Sequence, residues 1–246
     1  MKYKVTVAYD GRQFCGFQFQ PNLRTVQGTL TDAMRTVLGD DCTVTGCSRT
    51  DSGVHASGFV ALVDAPHSTV PYGKLCRAVN CVLPDDVALL SSEMAPEGFH
   101  PRYSAKSKEY EYLINVSETR NPFSRGLVYD YCRELDAGKM CRAAADFAGE
   151  HDFSAFMSAG SDINDTVRTI FGCNVTRREN IVAINICGTG FLYNMVRIIA
   201  GTLFDVGTGK KNPSEIEGII QSCDRRLAGP TLPAKGLMLV GYCFDA

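Results

Sequence analysis

An arginine, an aspartate and a histidine fall close together in one glycine-flanked stretch, Gly46-Cys-Ser-Arg-Thr-Asp-Ser-Gly-Val-His-Ala56. Arg49, Asp51 and His55 are its chemistry-bearing residues. Gly46 and Gly53 allow tight turning and close approach of a ligand. The spacing fits two readings. In one, Arg49 and Asp51 form a local ion pair in a solvated loop. In the other, a neighbouring cation keeps the Asp51 carboxylate ionised, and the ionised form is a nucleophile. Spacing alone does not choose between them. His55 reads as a support for the loop rather than as a general base.

Two further side chains stand out against their surroundings. Arg197 lies in the apolar run that follows Phe191. A charge there is costly unless it is paired or reaches the surface, so a partner such as Asp51 is one solution and snorkelling is the other. Tyr110 lies in Lys-Glu-Tyr-Glu-Tyr112, where a cross-strand or core aromatic is the plain reading.

Cofactor signals are weak. Gly188-Thr-Gly190 opens like a dinucleotide fingerprint, but Tyr193 stands where the third glycine would be. Ser57-Gly-Phe-Val60 lacks the basic residue and the later aromatic of an RNA-recognition strand. His55, His67, His100 and His151 show no metal-ligand spacing, and no cysteine pair is spaced C-x-x-C. Neither a metal nor an organic cofactor is expected. Arg12, Arg24, Arg102 and Arg168 could each meet a phosphate, although each alone reads as a solvated surface residue.

The elements that must carry these residues follow from periodicity. Residues 2–9 alternate, with Tyr3, Val5, Val7 and Tyr9 on one face, as in a strand. Thr25 caps a helix carrying Val26, Leu30, Ala33, Met34, Val37 and Leu38, closed by Gly39. Residues 42–47 and 58–63 read as strands around the polar loop 46–57. Pro71 opens a helix with Leu75, Val79 and Val82, Pro84 stops it, and residues 87–90 return as a strand. The second half reads similarly. It has strands around 110–114, 169–177 and 181–187, and helices after Asp136, from 191 to 204, and after Asn212-Pro213. A last strand spans 237–244. Hairpins are too prominent for a doubly wound parallel sheet. The chain is therefore read as α+β, two similar α/β halves sharing a mixed, mostly antiparallel sheet, with residues 1–103 and 104–246 as the halves.

The net charge of −2 argues mildly against a strongly basic nucleic-acid binder, although one local basic cleft would suffice. The 11 cysteines form an odd set without a secretory signal before the first strand, which reads as reduced thiols in the cytoplasm. The most apolar stretch, residues 181–206, is interrupted by Gly188, Gly190, Asn194, Arg197 and Asp205, so no membrane span is expected.

The loop resembles the R-T-D-x-G-V-H-A motif of the tRNA pseudouridine synthase I family. Ser48 stands where that family usually has glycine, and Ser52 where it usually has alanine. Further likenesses follow in the family's order. Tyr9-Asp-Gly11 and Gly16-Phe-Gln18 resemble Y-D-G and G-W-Q, with Phe17 in place of tryptophan. Phe99-His-Pro-Arg-Tyr-Ser-Ala105, Lys108-Glu-Tyr-Glu-Tyr112, His151-Asp-Phe-Ser-Ala-Phe156, Phe191-Leu-Tyr-Asn-Met-Val-Arg197 and Gly229-Pro-Thr-Leu-Pro-Ala-Lys-Gly-Leu237 resemble later signatures, so the likeness spans nearly the whole chain.

The resemblance implies the pseudouridine synthase fold and an isomerase that converts uridine to pseudouridine at positions 38–40 of the tRNA anticodon arm. It implies Asp51 as nucleophile, Tyr110 stacked on the base and a candidate for proton transfer, and Arg49 and Arg197 as substrate-binding cations. It also implies a cytoplasmic homodimer with one tRNA spanning both subunits. The reaction breaks a glycosidic bond and makes a carbon–carbon bond to the same base, so it needs neither redox cofactor nor metal. A non-catalytic RNA-binding module would not require the Arg49-Thr-Asp51 grouping. The same chemistry on another RNA is a further reading, since such substrates are recognised by shape over a wide surface.

Overall fold

The computed structural model describes residues 1–160 and 163–244. The chain divides into two compact units, Met1–Lys106 with Met238–Ala246, and Ser107–Leu237. The division read from the sequence left the last strand with the second half, whereas it groups with the first.

The first unit opens with β1 (Lys2–Tyr9), whose alternation buries Tyr3, Val5, Val7 and Tyr9. A long loop leads to α1 (Val26–Leu38). Thr25 caps this helix, its side chain accepting from Gly28 N at 3.2 Å, and Gly39 ends it at φ 108°. β2 (Thr43–Gly46) and β3 (His55–Asp64) flank the loop that holds Asp51. α2 (Tyr72–Asn80) follows Pro71, and β4 (Val87–Met94) completes the run. α2 stops at Asn80, so Val82 is exposed rather than part of its apolar face. The Asn80 side chain explains the join: it donates to Leu89 O and accepts from Leu89 N, tying the helix end to β4.

The second unit carries β5 (Ala105–Asn115), β6 (Tyr129–Asp130), α3 (Ala137–Ala144), β7 (Gly149–Asp152), β8 (Val167–Arg178), β9 (Ile181–Gly188), α4 (Met195–Gly207) and α5 (Ile216–Ser222). Its strands run in the order β5-β9-β8-β7, all antiparallel, with the short β6 parallel to β5. β6 and β7 were not foreseen, because strands of two and four residues are too short to show a period. α4 was expected from 191. It starts at Met195, because Asn194 sits in the left-handed region at φ 60° and cannot continue a right-handed helix. Nearly every α4 residue is buried, and each of Ile198, Ile199 and Leu203 contributes roughly 1.5–3 kcal/mol by leaving water.

The chain closes with β10 (Leu237–Phe244). β10 runs parallel to β3, with Met238 opposite His55 and Leu239 opposite Ala56. In the first unit, then, β3 has β1 antiparallel on one side and β10 parallel on the other. This pairing brings β3 back to His55, three residues before its expected start. The fold class is α+β with mixed, mostly antiparallel pairing.

Candidate active site

Asp51 stands half-buried at the start of a turn between β2 and β3. Val54 N donates to Asp51 O at 3.2 Å, which closes the turn over Ser52 and Gly53. Gly53 lies at φ 79°, a conformation that glycine adopts without a Cβ penalty at the third place of such a turn. The β1–α1 loop grips this turn from its side. Phe17 N donates to Thr50 O at 3.1 Å, Gly53 N donates to Phe14 O at 3.3 Å, and the Ser52 hydroxyl donates to Phe14 O at 3.2 Å.

Two hydroxyl contacts fix the residues just before Asp51. Tyr9 Oη lies 2.8 Å from the Thr50 Oγ1, and both side chains are buried. Tyr242 Oη, from β10, lies 2.8 Å from Ser48 Oγ. His55 ends the loop, and its ring is buried. Its Nδ1 accepts from Gly11 N at 3.1 Å and sits 3.2 Å from Asp10 Oδ1. This is the supporting role expected of it. The Asp10 carboxyl titrates below the usual carboxylate range. Burial works against that, and the Arg12 side-chain and backbone hydrogen bonds together with the charges of His55 and Arg12 outweigh it. A fork from Arg24 to both oxygens of Asp86, at 2.7 and 2.8 Å, holds the far end of the loop, and the same guanidinium lies 4.1 Å over the Phe14 ring. Arg12 and Arg24 are therefore engaged by carboxylates.

Arg49 is exposed and makes no ion pair among the described residues.

Tyr110 and Arg197 belong to the second unit. Tyr110 lies on β5 opposite Ile186 of β9 and is 7% exposed. Its ring meets Phe191 edge to face, with centroids 5.3 Å apart. Tyr112, two residues on, is fully buried, and its hydroxyl donates to Pro233 O at 2.8 Å. Burial pushes the Tyr112 hydroxyl pKa well up, against the opposing charge of Arg197. Arg197 projects from the first turn of α4. Its Nε donates to Leu232 O at 2.7 Å and its Nη1 to Asn194 Oδ1 at 2.6 Å. Leu232 N returns a bond to Arg197 O at 3.3 Å. A planar fork held at two of its nitrogens has little freedom to turn.

Tyr9, Thr50, Tyr242, Asn194 and Leu232 were not singled out as site residues from the sequence. Tyr9, Thr50, Asn194 and Leu232 lie inside the motifs quoted for the resemblance, which was the available signal. Among the described residues no group of three or more His, Cys, Asp or Glu side chains could hold a metal ion.

A family model described as tRNA pseudouridine synthase matches residues 5–104 and 143–245. The chain is 49% identical to a protein named tRNA pseudouridine synthase A from Ruminiclostridium cellulolyticum, over 97% of this chain and 98% of that one. A protein of the same name from Caldicellulosiruptor saccharolyticus is 45% identical, over 98% of each. The one from Bacillus subtilis is 42% identical over the full length of both. The first matched segment contains the whole Asp51 loop and the strands that hold it, and the second contains Arg197 and its anchors. With most of its length matched and with full-length relatives at these identities, the chain belongs to the tRNA pseudouridine synthase family.

Proposed function

We propose that the chain isomerises uridines 38–40 of the tRNA anticodon arm, with Asp51 as the covalent nucleophile. The coarser statement follows from membership: the chain is an isomerase that converts uridine to pseudouridine in tRNA. Asp51 adds to the substrate nucleoside, the glycosidic bond to nitrogen breaks, and the detached base turns. A carbon of the base then bonds to the sugar, the bond to Asp51 breaks to release the carboxylate, and the base carbon gives up its proton. Tyr110 stacks on the base and its hydroxyl serves that proton transfer. Arg197 supplies a fixed cation, and the exposed Arg49 meets the RNA. The target uridine leaves its stack to reach these groups. The enzyme works as a cytoplasmic homodimer. No helix among the described residues is long and apolar enough to cross a membrane.

The observation that carries this reading is the tethering of the Asp51 turn. Its backbone is bonded on both flanks, and a buried hydroxyl pair holds the residue before it. A carboxylate that must attack one atom gains from such restraint, since misplacement is costly in rate. The test is Asp51→Asn, assayed for pseudouridine formation and for tRNA affinity on one preparation. Turnover is expected to vanish while affinity stays near that of the parent. Substantial residual turnover would remove Asp51 from the reaction.

A further inference from the structure

The two hydroxyl contacts beside Asp51 belong to one packed assembly. Tyr9 comes from β1 and Tyr242 from β10, the strands on either side of β3. Both rings lean on the same residue of β3, Phe59, which is fully buried. Tyr9 is tilted against it at 5.8 Å, and Tyr242 meets it edge-on at 6.2 Å. Phe17, from the loop that grips the turn, stacks on the Phe59 ring at 4.2 Å. The tyrosine hydroxyls then reach Thr50 and Ser48, the residues on either side of Arg49. Thr50 directly precedes Asp51.

From this geometry we infer that Tyr9 and Tyr242 are positioning residues for the isomerisation: a two-armed clamp, seated on Phe59, that sets where the Asp51 carboxylate stands. The inference rests on Asp51 being the nucleophile. Both arms grip side-chain hydroxyls rather than backbone, so they add to the backbone bonds that already shape the turn. The Tyr242 arm depends on the Ser48 hydroxyl, 2.8 Å from the tyrosine oxygen. The two arms differ in exposure. Tyr9 and Thr50 are buried, whereas Ser48 and Tyr242 are half-buried, where water can replace a lost partner.

The test removes each hydroxyl and separates rate from binding. Tyr9→Phe and Thr50→Val are expected to lower kcat about 10-fold each, and Tyr242→Phe and Ser48→Ala about 3-fold each, with KM for tRNA within about twofold of the parent. The double variant within each arm should be no slower than its slower single, because both singles break the same bond. Thr50→Ser, which keeps the hydroxyl, should recover most of the rate that Thr50→Val loses. Tyr3→Phe is the control. Tyr3 lies on the same strand and its hydroxyl bonds Ser68 and Val70 O, both at 2.8 Å, away from the Asp51 loop. It should lose thermal stability and keep its kcat. Unchanged kcat in the arm variants, losses confined to KM, or an equal kcat loss in Tyr3→Phe would each overturn the clamp. Asp51→Asn runs in the same assay. If it stays active, the nucleophile assignment fails. If it is dead while the arm variants run at full rate, only the clamp fails.

Discussion

Gly229 packs against Gly201 with no room for a side chain on either. A Cβ added at Gly229 would lie 2.5 Å from the carbonyl carbon of Gly201, and one added at Gly201 would lie 1.8 Å from Pro230 O. The loop thus runs directly over the backbone of α4. Gly229 N donates to the buried Thr202 hydroxyl at 2.8 Å, and that hydroxyl donates in turn to Ile198 O. Three residues further on, Leu232 O accepts from the Arg197 guanidinium. The glycine contact therefore sets the height at which the loop offers its carbonyl to Arg197.

Gly229→Ala should disturb stability and chemistry together. The atoms in the way are backbone, so neither side can yield by turning a side chain. Overpacking of this kind costs roughly 1–3 kcal/mol, read from denaturant unfolding. The shift of the loop should also loosen Arg197 and lower turnover. A variant with parental stability and rate would mean that the loop can rise without moving Leu232 O.

Arg197→Lys keeps the charge and loses the fork. A lysine at this position cannot hold Leu232 O and Asn194 Oδ1 in one plane as the guanidinium does. The expected result is a fall in kcat of roughly 10–100-fold with tRNA affinity little changed. Asn194→Ala should give a smaller loss, since it removes one anchor of two. Equal turnover for arginine and lysine would reduce Arg197 to a point charge.

The reach of the sequence can be judged at these same residues. The β1 alternation and the Thr25–Gly39 boundaries of α1 were legible because burial and capping act locally, within a few residues. Asp51, Tyr110 and Arg197 could be named because they lie inside motifs whose resemblance spans the chain. Their supports were not legible. Nothing near Ser48 points to Tyr242, which is 194 residues away and is brought close by the parallel pairing of β10 with β3. The start of α4 was missed because an apolar run shows no period to mark its boundary, and the left-handed Asn194 is set by its surroundings.

Acid should expose the Asp10 arrangement. Its folded pKa is lower than in the unfolded chain: burial opposes the shift, but the Arg12 hydrogen bonds and the charges of His55 and Arg12 together exceed it. A depressed carboxylate contributes stability that is fully present above the unfolded value, about 4, and is lost as pH falls through the folded value. Asp10→Asn should therefore be less stable than the parent at neutral pH, and the gap should close as pH drops below about 4. Urea unfolding at a series of pH values measures this. A gap that stays constant down to the lowest pH would show that the carboxylate charge is not what stabilises the loop.

Tyr110 offers the sharpest separation of chemistry from binding. Its ring is held edge to face by Phe191, and little of it is exposed, so Tyr110→Phe should keep the aromatic wall in place. If the hydroxyl moves the proton released from the base carbon, that variant should lose roughly 10²-fold in rate with tRNA affinity unchanged, the size expected of a general acid–base group. Tyr110→Ala removes the ring as well. It should add a cavity cost of roughly 3–5 kcal/mol to stability and weaken the hold on the base. The two variants separate the roles. A phenylalanine variant that turns over at the parental rate would leave Tyr110 with stacking alone and require another group to take the proton. A phenylalanine variant that binds tRNA weakly as well as reacting slowly would place the hydroxyl in substrate recognition instead. The measurement is single-turnover pseudouridine formation at saturating enzyme, with affinity taken separately, so that product release does not mask the chemical step.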